Sequence, residues 1–283
     1  MEDHLNTLNQ VGRSGELRLS FARRGERTVL LENYSRPPLQ VMRPIPDATG
    51  CLCIYLLSPS GGVLQDDRYN IQIQVGANTH ALFTTPSANR VYRMPTGYAE
   101  QKVFVTIEQQ GILEFVPDAT ILFADADWRQ TTEVTLAPGA LLILHEIIMP
   151  GRFAHGEYLQ FRNYQNRLIV RDAAGLILYD AARIEPAQQN LERIGWLEGY
   201  RCWGSLYVLG DLERWHLNAA QFCRDYGERL TTVHSIGALS PLHRNGFTAR
   251  MLSQRLETIH DAFGELRQTV RGCIGLTDAK LRK

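Results

Sequence analysis

Runs of strand-forming residues recur about every 8–12 positions as far as Tyr179, with turn-forming residues between them. Glu16–Phe21, Thr28–Leu31, Leu39–Met42, Cys51–Leu57, Ile71–Val75, Ala81–Thr85, Val103–Ile107 and Leu113–Val116 carry the pattern. Thr120–Phe123, Val134–Leu136, Leu141–Ile148, Tyr158–Phe161, Leu168–Arg171 and Leu176–Tyr179 continue it. Gly76-Ala77-Asn78, Pro117-Asp118, Pro138-Gly139 and Pro150-Gly151 punctuate it. No helical period separates consecutive runs, so the spacing predicts antiparallel sheets and not βαβ units.

Past about residue 186 the texture changes. Gly204–Leu209 and Thr232–Ile236 still read as extended. Leu212, Trp215, Ala219, Phe222, Cys223, Tyr226 and Leu230 fall at three- and four-residue steps and predict a helix over 212–230. Leu256, Ile259, Phe263, Leu266 and Val270 predict a second over 253–271, with Ser253 as its N-cap. Each helix has one apolar face and should cover a sheet. No Gly/Ser/Pro-rich linker and no repeat of ~20–50 residues is visible. The expectation is one domain over 1–283, with a β-rich body at about 15–185 and a mixed α/β part at about 186–276.

Lys and Arg number 30, and so do Asp and Glu, giving a formal net charge of zero. That balance argues against nucleic acid or an anionic membrane as a partner, and the low colloidal stability it brings suits a protein held in a complex. Cys51, Cys53, Cys202, Cys223 and Cys273 form no regular framework, unlike a secreted disulfide scaffold. Met1-Glu2-Asp3-His4 lacks the start of a signal peptide, and no window approaches ~18 uninterrupted apolar residues. The expected setting is the cytoplasm.

Leu57–Tyr69 is the richest stretch chemically. An apolar run, Cys51–Leu57, suits a strand buried on both faces, and the alternating Ile71–Val75 suits one with a wet face. Between them Pro59 fixes one φ, Gly61-Gly62 permit positive φ or the close approach of another backbone, and Asp66-Asp67 follow at once. The two carboxylates are free to bind a cation, close the turn, or face water.

Enzyme signatures are missing. There is no phosphate-binding G-x-x-x-x-G-K-[ST], no G-x-G-x-x-G opening a helix and no G-x-S-x-G elbow. His145-Glu146-Ile147-Ile148-Met149 has Met149 where a zinc protease needs its second His. His155-Gly156-Glu157 has the deaminase H-x-E without the P-C-x-x-C that completes it. Cys51 and Cys53 share one strand face, but in a run apolar on both sides they read as core, as do Cys202 and Cys223.

Several phrases in order resemble one family. Ser58–Asp67 looks like a Pro-x-Gly-Gly-aliphatic-x-x-Gly-Asp signature, and Thr84–Arg93 like Thr-Thr-x-x-Ala-x-[Lys/Arg]-Val-Tyr-Arg. Leu113–Phe123 is similar to Leu-Glu-[Tyr/Phe]-x-Pro-[Asp/Glu]-x-x-Ile, Gly151–Glu157 to Gly-Arg-x-x-x-Gly-Glu, and Gly246–Leu252 to the family's C-terminal block. The family is that of the urease accessory protein UreD, called UreH in some systems. Asp66 stands where the family usually has Gly, so the backbone there is a question.

The resemblance implies a β-rich α+β fold: a flattened, β-helix-like or sandwich body of stacked antiparallel or mixed sheets, with two C-terminal amphipathic helices. It implies a non-catalytic scaffold that binds a UreF-type protein, through it a UreG-type GTPase, and apo-urease, and that helps deliver Ni²⁺. A dimeric arrangement within that complex is compatible with it. No tightly bound cofactor is expected, only transient Ni²⁺. Because carboxylates and water release Ni²⁺ more readily than thiolates do, the candidate transit ligands are Asp66, Asp67, Glu146 and Glu157, with His145 and His155 behind them. The competing readings are a hydrolase or lyase built on Asp66 and Asp67 with His145 or His155, and a β-sandwich binding module with no metal role.

Overall fold

Glu108, Gln109, Gln110 and Gly111 make a β-turn closed by the Gly111 N–H on the Glu108 carbonyl at 2.9 Å, and the same turn occurs twice more. Gly76–Thr79 closes at 3.3 Å and Ala137–Ala140 at 3.0 Å. The three turns stack, Asn78 N–H on Gln109 O and Gln110 N–H on Pro138 O. They are the corners of a β-solenoid. The computed structural model describes residues 14–58 and 60–276, so the leader and Pro59 lie outside the described residues.

The hairpin β1 (Ser14–Arg24) and β2 (Arg27–Arg36) and the short β3 (Gln40–Val41) and β4 (Ile45–Pro46) precede the coils. The first coil is β5 (Leu52–Leu57) and β6 (Arg68–Val75); the second β7 (His80–Thr84), β8 (Asn89–Val91) and β9 (Ala99–Ile107). The third is β10 (Ile112–Phe115), β11 (Thr120–Leu122) and β12 (Asp127–Leu136); the fourth β13 (Leu141–Met149) and β14 (Asn163–Asp172). β15 (Gly175–Ile184), β16 (Cys202–Gly210), α1 (Ala219–Tyr226), β17 (Ser235–Pro241), β18 (Gly246–Ser253) and α2 (Leu256–Cys273) complete the chain.

Each coil crosses from one sheet to the other, so its long strands stack in parallel: β6, β9, β12 and β14 in a seven-stranded sheet, β5, β7, β10 and β13 in an eleven-stranded one. Antiparallel pairing, which the turn spacing predicted throughout, occurs at the ends: β1 with β2, β14 with β15, and β13–β16–β18–β17. Short turns do not distinguish a hairpin from a corner leading to the opposite sheet, and here most are corners. The result is the mixed, stacked-sheet, β-helix-like body with helices near the C-terminus that the resemblance implied.

The repeat is real but irregular. Register places Arg68, Glu100, Arg129 and Gln165 side by side, steps of 32, 29 and 36 residues. Because parallel register repeats the pleat, inward residues form ladders: Ile71, Val103, Thr132 and Leu168, then Ile73, Val105, Val134 and Val170. They build the first core, between the sheets. A second core lies on the other face of the eleven-stranded sheet, where α2 packs Ile259, Phe263, Leu266 and Val270 against β13, β16 and β18. Gly204 makes that contact close, since a Cβ there would meet Ile259 Cγ2 and Phe263 Cε2 at 2.8 Å each.

Three local expectations change. Tyr158–Phe161 is not a strand; Leu159 turns through φ 53° and bonds its N–H to Pro150 O. The helix over 212–230 begins only at Ala219, because His216 takes φ 56° and Asn218 caps a new start by accepting from Gln221 N–H at 2.9 Å. Of the apolar stripe, Leu212, Phe222, Cys223 and Leu230 are buried, and Trp215, Ala219 and Tyr226 are half-buried. Ser253 ends β18 rather than capping α2; Arg255 holds the cap position, and Ser253 Oγ accepts the Arg255 N–H.

Candidate functional site

One inward ladder is polar. Tyr69, Gln101, Gln130 and Asn166 occupy the same pleat position on four successive coils and line an interior cavity of about 230 Å³. Glu146 on β13 meets them from the opposite sheet, accepting hydrogen bonds from Gln130 Nε2 and from Asn166 Nδ2 at 2.6 Å. The fully buried Tyr164 hydroxyl lies beside this carboxylate. Tyr207, also on the cavity, donates to Asp180, which Arg250 neutralises from outside.

Among the described residues, no cationic side chain pairs with Glu146. Burial pushes its carboxyl up to about 7, helped by the charge of Asp180, while Tyr164, Gln130 and Asn166 only partly counter it. Glu146 keeps some accessible area because it borders the cavity. His145 borders the same cavity, but successive strand residues point to opposite faces. Its ring is turned to Phe263 of α2, and its Nε2–H donates to Pro117 O at 2.7 Å.

The other candidates lie elsewhere. Asp67 is buried and locks the turn, accepting from Leu64 N–H at 2.8 Å and Tyr69 Oη–H at 2.7 Å. Asp66 adopts φ 67° beside Gly97. Glu157 is clamped by Arg152, which holds its carboxyl below the usual range. His155 is exposed at the end of a 3₁₀ turn, Phe153–His155. The six therefore form no single constellation, and Asp66 and Asp67 do not line the cavity that His145 borders.

One cluster escaped the sequence reading. Glu114 of β10, fully buried, accepts from His80 Nε2 at 2.7 Å, Arg267 Nη1 at 2.6 Å and Arg271 Nη1. The Cys51 thiol adjoins it, within 4.8 Å of ligand atoms of His80 and Glu114. Two guanidiniums already saturate the carboxylate, so its chemistry here is that of a clamp for α2. The signal was available: Glu114 stands alone in the apolar run Ile112–Val116, and Arg267 and Arg271 are spaced i, i+4 on one helix face.

Comparison with known proteins decides the family. The model of the UreD urease accessory protein family matches residues 13–283. The chain is 32% identical over 264 residues to urease accessory protein UreD 2 of Streptomyces griseus, covering 91% of this chain and 89% of that protein. It is 33% identical over 258 residues to the UreD protein of Cenarchaeum symbiosum, at 88% and 89% coverage, and 29% identical over 261 residues to that of Haloarcula marismortui, at 88% and 83%. This chain belongs to the UreD family of urease accessory proteins.

The structure gives the UreD phrases physical roles. The Gly-Gly signature and the Thr84–Arg93 phrase touch: Val63 N–H bonds to Arg90 O at 2.7 Å, Tyr92 N–H to Val63 O at 2.9 Å, and Val63 pairs with Val91 in parallel. Gly62 permits this, since a Cβ there would sit 2.4 Å from Arg90 O. The Leu-Glu-Phe phrase supplies Glu114, and the Gly-Arg phrase supplies the Arg152–Glu157 clamp. As a UreD member the protein acts in urease maturation.

Proposed function

We propose that this UreD protein is a non-catalytic cytoplasmic scaffold that joins UreF-type and UreG-type partners to apo-urease and helps deliver Ni²⁺ through its own interior. The observation that carries the reading is the cavity, which passes Gln101, Gln130 and Asn166 on successive coils and holds a carboxylate, Glu146, with no cationic partner among the described residues. Oxygen ligands of this kind exchange a divalent ion more readily than thiolates do. Ile194 and Val233, each more than nine-tenths exposed, leave apolar surface suited to partners. A hydrolase built on Asp66 and Asp67 is disfavoured, because the Asp67 carboxylate is consumed in closing its turn.

The test is nickel counting on apo-urease co-expressed with the accessory partners and either no UreD chain, this chain, or its Glu146→Ala variant. The reading expects low nickel without the chain and reduced nickel with the variant. Urease that fills normally without the chain ends the delivery role; normal filling with the variant ends the interior route.

A further inference from the structure

We propose that the Cys51 thiolate and His80 Nδ1 form a binding site for one soft monovalent cation, Cu⁺, beneath α2. The site is separate from the interior route: none of Cys51, His80 and Glu114 is among the described residues lining the cavity.

His80 is buried, and its Nε2 lies 2.7 Å from Glu114 Oε1. The surroundings of Glu114 keep its carboxyl ionised down to about pH 2, so Nε2 carries a hydrogen and donates it. In the neutral ring Nδ1 then presents a lone pair, and it is buried without a hydrogen-bond partner among the described residues. Metal-binding histidines are arranged in this way, one ring nitrogen donating to a carboxylate and the other left to ligate. Cys51, 1% exposed, supplies the second ligand. Its Sγ lies within 4.8 Å of a ring nitrogen of His80 and of a carboxylate oxygen of Glu114. Glu114 orients the ring and does not ligate, because Arg267 and Arg271 hold its two oxygens.

Charge and ligand number choose the ion. The carboxylates of Glu114 and Asp47 balance the guanidiniums of Arg267 and Arg271. A monovalent ion that replaces the Cys51 thiol proton adds no net charge to this buried cluster. A divalent ion strands a positive charge beside two arginines. Structural Zn²⁺ also requires four ligands, whereas Cu⁺ is satisfied by a thiolate and an imidazole in line. Burial, with the charges of Glu114 and Asp47, pushes the Cys51 thiol well above its ordinary value. Only an ion with high affinity for sulfur displaces that proton, and Cu⁺ is such an ion. Cys53, half-buried and packed against Cys51 and its apolar neighbours, offers a thiol nearer the surface by which the ion enters.

The experiment titrates the purified full chain anaerobically with Cu⁺ against a chromophoric Cu⁺ chelator, with the exposed thiol removed by Cys273→Ser. The site expects one Cu⁺ per chain, with X-ray absorption at the copper edge showing one sulfur and one nitrogen ligand. Cys51→Ala and His80→Gln should each weaken binding by at least about tenfold, the scale on which even second-layer changes act. Cys53→Ser should leave the affinity unchanged. Glutamine keeps a donor for Glu114, and the absorption spectrum of the parent chain decides the ligands even where a variant fails to fold. Parent-like affinity in either folded variant overturns the site, as do ligation by sulfur alone and loss of binding in Cys53→Ser. Displacement of the Cu⁺ by equimolar Ni²⁺ overturns the choice of a monovalent ion.

Discussion

Arg267 Nη1 lies 2.6 Å from Glu114 Oε2, with the two side chains 5% and 0% exposed and 153 positions apart in sequence. With Arg271 and His80 on the same carboxylate, and Asp47 3.6 Å from Arg271, the pair fastens α2 to the middle of the eleven-stranded sheet. Removing one member strands a buried charge, which typically costs about 3–5 kcal/mol. Arg267→Met should therefore lower the urea midpoint strongly and speed hydrogen exchange in α2. Unchanged exchange would mean that apolar packing alone holds the helix.

The same network sets an acid limit. Burial alone would raise the Glu114 carboxyl, but the His80 hydrogen bond and the charges of His80, Arg267 and Arg271 outweigh it and hold it near 2, below its ordinary 4.5. A depressed carboxyl stabilises the fold fully above the unfolded value and loses that contribution as pH falls towards the folded one. Urea unfolding should thus show stability falling between about pH 4.5 and 2. Glu114→Gln should be less stable at pH 6 and should lack most of that slope. A variant slope equal to wild type would place the acid sensitivity elsewhere.

Glu146 has the opposite sign. Its carboxyl is raised from 4.5 to about 7, chiefly by burial, so between those values the folded state binds more protons than the unfolded one. Stability should therefore decline as pH rises from about 4.5 to about 7 and level off above. Glu146→Gln should flatten this decline and raise stability at pH 8, by up to about 3 kcal/mol. A Gln variant no more stable than wild type at pH 8 would mean that the ionised carboxylate is fully compensated inside the cavity.

The contrast between these carboxylates shows how far the sequence could be read. Strand positions in the body were legible because alternation and turn residues are local signals, as at Ile71–Val75. Parallel stacking was not, since unequal steps between Arg68, Glu100, Arg129 and Gln165 hide the repeat that register reveals. Glu146 is legible as a carboxylate beside a strand, but its partners Gln130 and Asn166 lie 16 and 20 positions away and carry no motif. The charge of Asp67 suggests a ligand, whereas its environment is that of a turn lock. Residue type was readable; which face it serves depended on the coil.

Gly62 joins the two signature phrases by absence of a side chain. An added Cβ would meet Arg90 O at 2.4 Å and Tyr92 Cε2 at 2.6 Å, and the first is backbone held by the Val63 N–H bond. Gly62→Ala should destabilise by roughly 1–3 kcal/mol through overpacking. Gly61→Ala does not meet that backbone, its nearest neighbour being Tyr92 Oη at 3.8 Å, but it strains φ 77°. Chemical denaturation should rank Gly62→Ala below wild type, and a neutral Gly62→Ala would show that the contact yields.

Asp66 carries a backbone conformation that glycine adopts more readily than other residues. Its φ of 67° lies in the left-handed region, which costs an ordinary L-residue roughly 1–2 kcal/mol and a short polar one less. The side chain recovers part of this by accepting from Gln65 Nε2 at 3.2 Å and packing near Gly97. Asp66→Gly relieves the strain but adds unfolded-state freedom, so it should be neutral to stabilising by up to about 1 kcal/mol. Asp66→Val, β-branched and without the hydrogen bond, should destabilise by about 2 kcal/mol. Urea denaturation of both variants separates backbone from side chain. If Asp66→Gly were as damaging as Asp66→Val, the carboxylate itself, and not the turn, would be what this position requires.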